Sequence, residues 1–230
     1  MKKILTSVMI ALMAITLFSA CKKDDDSTGN DVMSAKNVIN SIPDIASVKA
    51  VMDDSAIEDE LVIATTLYQN NGFKLSLKTP PATCLYEARY SFDSEYDVII
   101  SDPNAKMGFV WANAFDNKDE EIGDFYYWGM NTRTYVEANY VYADRNFTVK
   151  GKIEDDEYDY FEEFNCSLKK GWNIIYWIEK EDCCLISTQK PSDITMEWAF
   201  EGYFCKSNQH QNLFKMCENM KARMQKTFNR

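Results

Sequence analysis

The sequence predicts an all-β protein, an antiparallel β-sandwich, from two observations. Apolar and polar residues alternate from about residue 45 to residue 205, which is the period of a strand with one buried face. Turn-forming residues interrupt this alternation at short intervals, as in Asn70-Asn71-Gly72 and Ser101-Asp102-Pro103-Asn104. Short strands with frequent turns are typical of sandwiches of the immunoglobulin or transthyretin type.

Each strand is predicted from apolar residues that share one face. Phe73, Leu75 and Leu77 alternate with polar residues and define the first clear strand. Further strands are predicted over 86–92, 109–115, 147–153, 158–168, 172–178 and 194–204. The segments 158–168 and 172–178 predict a hairpin closed by Lys169-Lys170-Gly171, because glycine readily takes a positive φ. Residues 53–62 favour either a short helix or an acidic loop.

The first residues have the features of an exported protein. Lys2 and Lys3 precede an apolar run that ends at Phe18, and the small residues Ser19 and Ala20 follow. This run is too short for a transmembrane helix and predicts a signal peptide over 1–20. Phe18-Ser19-Ala20-Cys21 resembles a bacterial lipobox, which implies that Cys21 is acylated and becomes the mature N-terminus. The alternative is an ordinary secretory peptide that precedes a cysteine.

The charged residues after Cys21 bear on location. Lys22-Lys23-Asp24-Asp25-Asp26 resembles the export signal of surface-displayed lipoproteins in Bacteroidetes. The resemblance implies an outer-membrane protein that faces the cell exterior and contacts the bilayer through its acyl anchor. A plain spacer on the periplasmic face is the alternative. We expect residues 21–44 to be the lipidated cysteine and a flexible spacer, and 45–205 to be the β-sandwich domain.

The predicted domain carries several turn and core segments that are similar to those of one group of proteins. They include 48–50, 71–75, 99–102, 121–126, 142–151 and 168–173. These segments resemble Bacteroidetes surface lipoproteins of unassigned function. The resemblance implies a β-sandwich lipoprotein and supplies no reaction.

The C-terminal segment 206–230 differs from the rest of the chain. Its apolar residues recur at helical spacing, and it has six basic residues against one acidic residue. We expect a short basic amphipathic helix that docks on the acidic sandwich. An unfolded extension, or a segment that contacts a membrane or an acidic partner, is the alternative.

Composition excludes several function classes. The chain has 25 Lys and Arg against 36 Asp and Glu, a net charge of −11, which argues against nucleic-acid binding. His210, the one histidine, lies in the C-terminal segment, so Ser-His-Asp and Cys-His catalysis lack a base within the predicted domain. There is no glycine-rich phosphate loop, and we expect no cofactor.

The cysteines and the acidic loops are the candidates for disulfides and for metal ligands. Six cysteines remain besides Cys21, and their pairing is open: Cys84, Cys166, Cys183, Cys184, Cys205 and Cys217. A zinc site is disfavoured, because no two cysteines have the Cys-x-x-Cys spacing. The acidic loops 116–121 and 154–157 are weak calcium candidates, and solvated loops are the favoured interpretation. We therefore expect no metal.

Aromatic residues supply the candidate ligand-binding site. Phe125-Tyr126-Tyr127-Trp128 places rings on both faces of a strand, so some rings face outward. The candidate residues are Trp111, Tyr126, Trp128 and Trp177. Exposed rings suit stacking on a sugar, whereas packing in the core or across strands is the alternative. We expect a non-catalytic binding or assembly module for a glycan or a surface protein. A lipocalin-like binder of small ligands and a carboxylate-dependent hydrolase are the alternatives.

Overall fold

The computed structural model describes residues 30–92, 97–155 and 160–203, which form fourteen strands. The strands are β1 (Val32–Lys36), β2 (Ser47–Asp54), β3 (Asp59–Leu67), β4 (Gly72–Ser76), β5 (Tyr86–Glu87), β6 (Asp97–Ile100), β7 (Lys106–Phe115), β8 (Glu121–Met130), β9 (Tyr135–Ala143), β10 (Phe147–Asp155), β11 (Tyr160–Leu168), β12 (Gly171–Glu179), β13 (Cys183–Ser187) and β14 (Glu197–Gly202). Two 3₁₀ turns, Ala82–Cys84 and Ala88–Tyr90, flank β5. The predicted all-β class is confirmed.

The strands form one large sheet and one short ribbon. Twelve strands belong to the large sheet, whose main path is β3-β2-β7-β8-β9-β12-β13-β11-β10-β6. β14 adds to β8 and β5 adds to β7, while β1 and β4 form the ribbon. The named pairs are antiparallel except β11 and β13, which run parallel. None of the described residues belongs to a helix that is long and apolar enough to cross a bilayer.

The large sheet buries apolar side chains on both faces. Tyr140 and Tyr142 of β9 point into a first core, which the β1–β4 ribbon covers with Met33 and Leu75. Their chain neighbours on the opposite face of β9 enter a second core, together with apolar side chains of β10, β11 and β13. The sheet therefore folds back on itself over the second core. Each fully buried Met, Leu or Val contributes about 1.5–3 kcal/mol.

The hairpin predicted over 158–178 is wrong. The apolar faces are as predicted, because Phe164, Cys166 and Leu168 are all buried. However, β13 lies between β11 and β12 in the sheet. Asn173 holds the connection from within, since its amide donates to the Lys169 carbonyl at 2.7 Å and accepts from the Lys169 N–H at 3.0 Å. These bonds stabilise the turn between β11 and β12, although the two strands do not pair with each other.

Two further segments differ from expectation. Residues 53–62 are neither a helix nor a loop, because β2 and β3 extend into them and a tight turn joins the strands. The Asp54 carboxylate accepts the Ala56 N–H at 2.9 Å and Glu58 takes φ 53°, which together close the turn. The strand predicted over 86–92 ends at Glu87, where the chain turns and buries Ala88 in the second core.

The flexible spacer predicted over 21–44 is wrong from Val32 onward. β1 pairs with β4, and Met33 and Ala35 are buried beside Leu75 and Phe73. Burial of these alternate side chains orders a segment whose composition resembles a linker. The predicted signal peptide, Cys21, the charged run 22–26 and the C-terminal helix over 206–230 lie outside the described residues.

Candidate functional site

A cleft opens where strand β7 changes its neighbour. The first half of β7, Met107–Val110, pairs with β9, whereas the second half, Ala112–Phe115, pairs with β8. The other half of β9 pairs with β8 in turn. Three strands therefore diverge around Trp111 and Asn139, and we call this place the fork. The cleft at the fork has a volume of about 410 Å³.

Two β-bulges direct acidic side chains into this fork cleft. The β7–β8 register shifts between Ala114 and Phe115, so that Glu121 and Asp124 lie on the same face of β8 although they are three positions apart. The β2–β3 register shifts as well, beside Ala50, and this sets Glu60 opposite Asp53. The lining carries five carboxylates in all: Asp53, Glu60, Glu121, Asp124 and Glu137.

Tyr203 closes one side of the fork cleft, just after β14. Its hydroxyl donates to Glu121 and, at 3.2 Å, to Asp124. Burial and these two carboxylates raise the pKa of Tyr203, so the phenol stays protonated and remains a donor. Gly123 permits the close approach of β14, because a side chain there would collide with the Glu201 carbonyl.

The carboxylates give the fork cleft a strongly negative potential. Burial and the charges of Glu121, Asp53 and Asp124 raise the pKa of Glu60. Burial and the charge of Asp124 raise the pKa of Tyr126, whose hydroxyl lies 3.3 Å from that carboxylate. None of the described residues that line the cleft is Lys, Arg or His. A ligand would therefore meet an acidic site with no charge compensation from these lining residues.

Asn113 lines the same cleft as the carboxylates, and one of its polar atoms lacks a hydrogen-bond partner in the described part of the chain. The residue is 4% exposed, and its amide nitrogen donates to Glu121 at 3.2 Å. Its amide oxygen is buried and accepts no hydrogen bond from the described part of the chain. A buried acceptor without a donor is costly and calls for an explanation.

The structure places all four predicted aromatic residues on one face of the sheet but only two of them in the fork cleft. Trp111, which is 42% exposed, and Tyr126 line the cleft. Trp128 instead stacks on Tyr135, with the ring centroids 6.0 Å apart. Trp177 packs against the second core, and its indole N–H is buried without a described acceptor. The four rings do not form one platform.

The described cysteines do not line the fork cleft, and of the acidic loop 116–121 only Glu121 does. Cys84, Cys166, Cys183 and Cys184 are free thiols. Burial raises the pKa of Cys166 to about 12, which keeps this thiol protonated and unreactive. Asp116, in the first acidic loop, accepts backbone N–H groups of its own loop at 2.8 and 3.0 Å. Among the described residues, no three His, Cys, Asp or Glu side chains are arranged to hold a metal ion.

Asn113, Tyr203 and four of the five carboxylates were not predicted from the sequence, and Glu121 was named only within the acidic loop 116–121, as a weak calcium candidate. Simple alternation puts Glu121 and Asp124 on opposite faces, and only the bulge brings them together. Gly123 between them was the one local sign of an irregular strand, because glycine inside a strand often marks a bulge.

The fold and the site define an all-β protein with an acidic and aromatic cleft at a three-strand fork. Comparison with known protein families, with curated proteins and with solved structures found no match.

Proposed function

We propose that the protein is a non-catalytic binding module that takes a glycan in the fork cleft. Acyl chains on Cys21 anchor it to the outer membrane, and the domain faces the cell exterior. One observation supports the binding role above all others. The exposed indole of Trp111 lies in the same cleft as five carboxylates, so a stacking surface and hydrogen-bond acceptors adjoin.

This combination suits a sugar. The apolar face of a sugar ring packs on an aromatic ring, and its hydroxyl groups donate to carboxylates. Trp111 and Tyr203 are both exposed at the rim, so an extended ligand has access from solvent. A lipocalin-like binder would instead use an enclosed apolar cavity, which this open acidic cleft does not resemble.

Binding is tested with an array of neutral oligosaccharides and three forms of the protein. We expect the wild type to bind some of them, and Trp111→Ala to weaken that binding about tenfold through the loss of ring stacking. Tyr90→Ala is the matched control, because Tyr90 is an exposed aromatic residue outside the cleft. Equal binding by the wild type and Trp111→Ala would refute the assignment of the site.

Anchoring and location are tested in cells. We expect a labelled fatty acid to be incorporated into the wild type and not into Cys21→Ser. Protease added to intact cells should digest the wild type while a periplasmic control protein survives. Protection until the cells are lysed would place the domain on the periplasmic side instead.

A carboxylate-dependent hydrolase is the second candidate, for one reason. Glu121 and Asp124 converge on one hydroxyl, and the pKa of the neighbouring Glu60 is raised, which is the direction that favours a general acid. The test is to incubate the protein with each oligosaccharide that it binds and to measure new reducing ends. Products that vanish in Glu60→Gln would establish hydrolysis, whereas intact oligosaccharides would leave the binding role.

A further inference from the structure

We propose that the fork cleft selects a ligand that carries a protonated amine. This inference rests on the proposed function, because it names the chemical class of the glycan as an amino sugar with a free amine. An aliphatic polyamine presents the same ammonium group without a sugar, and the experiment below separates the two sources.

The first support is the chemistry of the lining. Its ionisable side chains, among the described residues, are five carboxylates and four tyrosines, and none is cationic. The nearest lysine in register, Lys49 opposite Asn113, already pairs with Asp119 at 2.6 Å and lies over the Phe115 ring. A cation in the cleft would therefore meet little competition from Lys49.

The second support is the unused acceptor of Asn113. Its amide nitrogen is already bonded to Glu121, so the orientation of the amide is set and the oxygen is the free end. An ammonium group offers three donors. It can bond the Asn113 oxygen and neighbouring carboxylate oxygens together, whereas an acetylated amine offers one N–H and no charge.

The third support is the aromatic wall. Trp111 and Tyr126 line the same cleft as the carboxylates. The face of an aromatic ring attracts a cation, and the attraction strengthens as the ion loses water. A neutral sugar would gain the stacking contact and the hydrogen bonds, but neither the cation–π contact nor the charge pairing.

The test compares ligands that differ in charge. Isothermal titration calorimetry is run with a glucosamine oligosaccharide, with the fully N-acetylated oligosaccharide of the same length, and with spermidine. We expect the free amine form to bind at least about tenfold more tightly than the acetylated form. Its affinity should fall as salt is added.

Two double variants make the test specific. Glu121→Gln with Asp124→Asn removes two negative charges from the fork cleft. Glu181→Gln with Asp182→Asn removes the same charge from an exposed turn elsewhere. We expect the first variant to lose the preference for the free amine and the second to keep it. Thermal melts of both variants confirm that they are folded.

Each outcome bears on the inference. Equal affinity for the two oligosaccharides would overturn the amine preference and leave the glycan function standing. Binding of spermidine without binding of either oligosaccharide would support the amine site and overturn the glycan function. Failure of both amine-bearing probes to bind would overturn the inference.

Discussion

Replacing Trp111 with alanine tests whether this residue belongs to the fork cleft or to a core. Trp111 keeps 42% of its surface in water. Somewhat more than half of the roughly 200 Å² that a tryptophan buries is therefore lost, which at about 25 cal/mol per Å² costs about 2–3 kcal/mol. The removed ring leaves a groove that water fills, so little cavity penalty is added.

Trp172 is the internal standard for this measurement. It is 4% exposed and packs edge-on against Tyr142, with the ring centroids 5.3 Å apart. Its replacement by alanine leaves a closed cavity and should cost about 4–5 kcal/mol. We expect the two variants to differ by about 2 kcal/mol in the free energy of unfolding, measured by urea titration and followed by circular dichroism.

The comparison can refute the assignment of Trp111. If Trp111→Ala destabilises the protein as much as Trp172→Ala does, the indole is a core residue and the binding wall does not exist. If Trp111→Ala costs about 2–3 kcal/mol and also weakens ligand binding, the ring acts at the surface. Trp111→Phe restores part of the stacking area and should recover part of both losses.

Three further predictions address the frame around the fork cleft. Glu162→Gln should stabilise the protein at pH 7 but not at about pH 4. Burial and a neighbouring glutamate raise the pKa of Glu162 above its usual 4.5, so the wild type loses stability as the pH rises from 4.5 through the raised pKa. The urea midpoints of the wild type and the variant at the two pH values measure this difference. Gly151→Ala should lower the melting temperature more than Gly171→Ala. A side chain at Gly151 collides with a backbone carbonyl of β6, whereas a side chain at Gly171 meets open space and costs only the strain of a φ of 101°. Similar melting temperatures of the two variants would contradict the β6–β10 pairing. In the native protein a maleimide should label Cys183 and spare Cys166, which is fully buried, whereas both should be labelled in urea. Peptide mass spectrometry identifies the labelled sites. Labelling of Cys166 in the native protein would show that the second core opens.

The strand faces were predictable because each depends on local alternation. Phe73, Leu75 and Leu77 were assigned to one face and are all buried. A pattern of period two records which side of a strand is covered, whatever strand lies beside it. Pairing between distant strands produces no such pattern in the sequence. The insertion of β13 between β11 and β12 was therefore not predicted.

The candidate site was only half predictable for a related reason. Trp111 and Tyr126 were selected because an exposed aromatic ring suits stacking on a sugar. Carboxylates are common, with 36 in the chain, and of the five in the cleft only Glu121 was named, as part of the acidic loop 116–121. Their convergence depends on bulges and on the exchange of neighbours by β7, which are properties of the assembled sheet.

The position of β13 has a consequence for the order in which the chain assembles. β11 and β12 are separated by two residues, and strands this close in sequence meet within about 1–10 μs. β13 comes later in the chain, yet its native place is between them. An early β11–β12 pair would therefore have to part before β13 could enter. We expect the second core to close only after β13 has paired with β11 and β12. The step that completes the domain therefore depends on a pairing that forms more slowly than a β11–β12 contact.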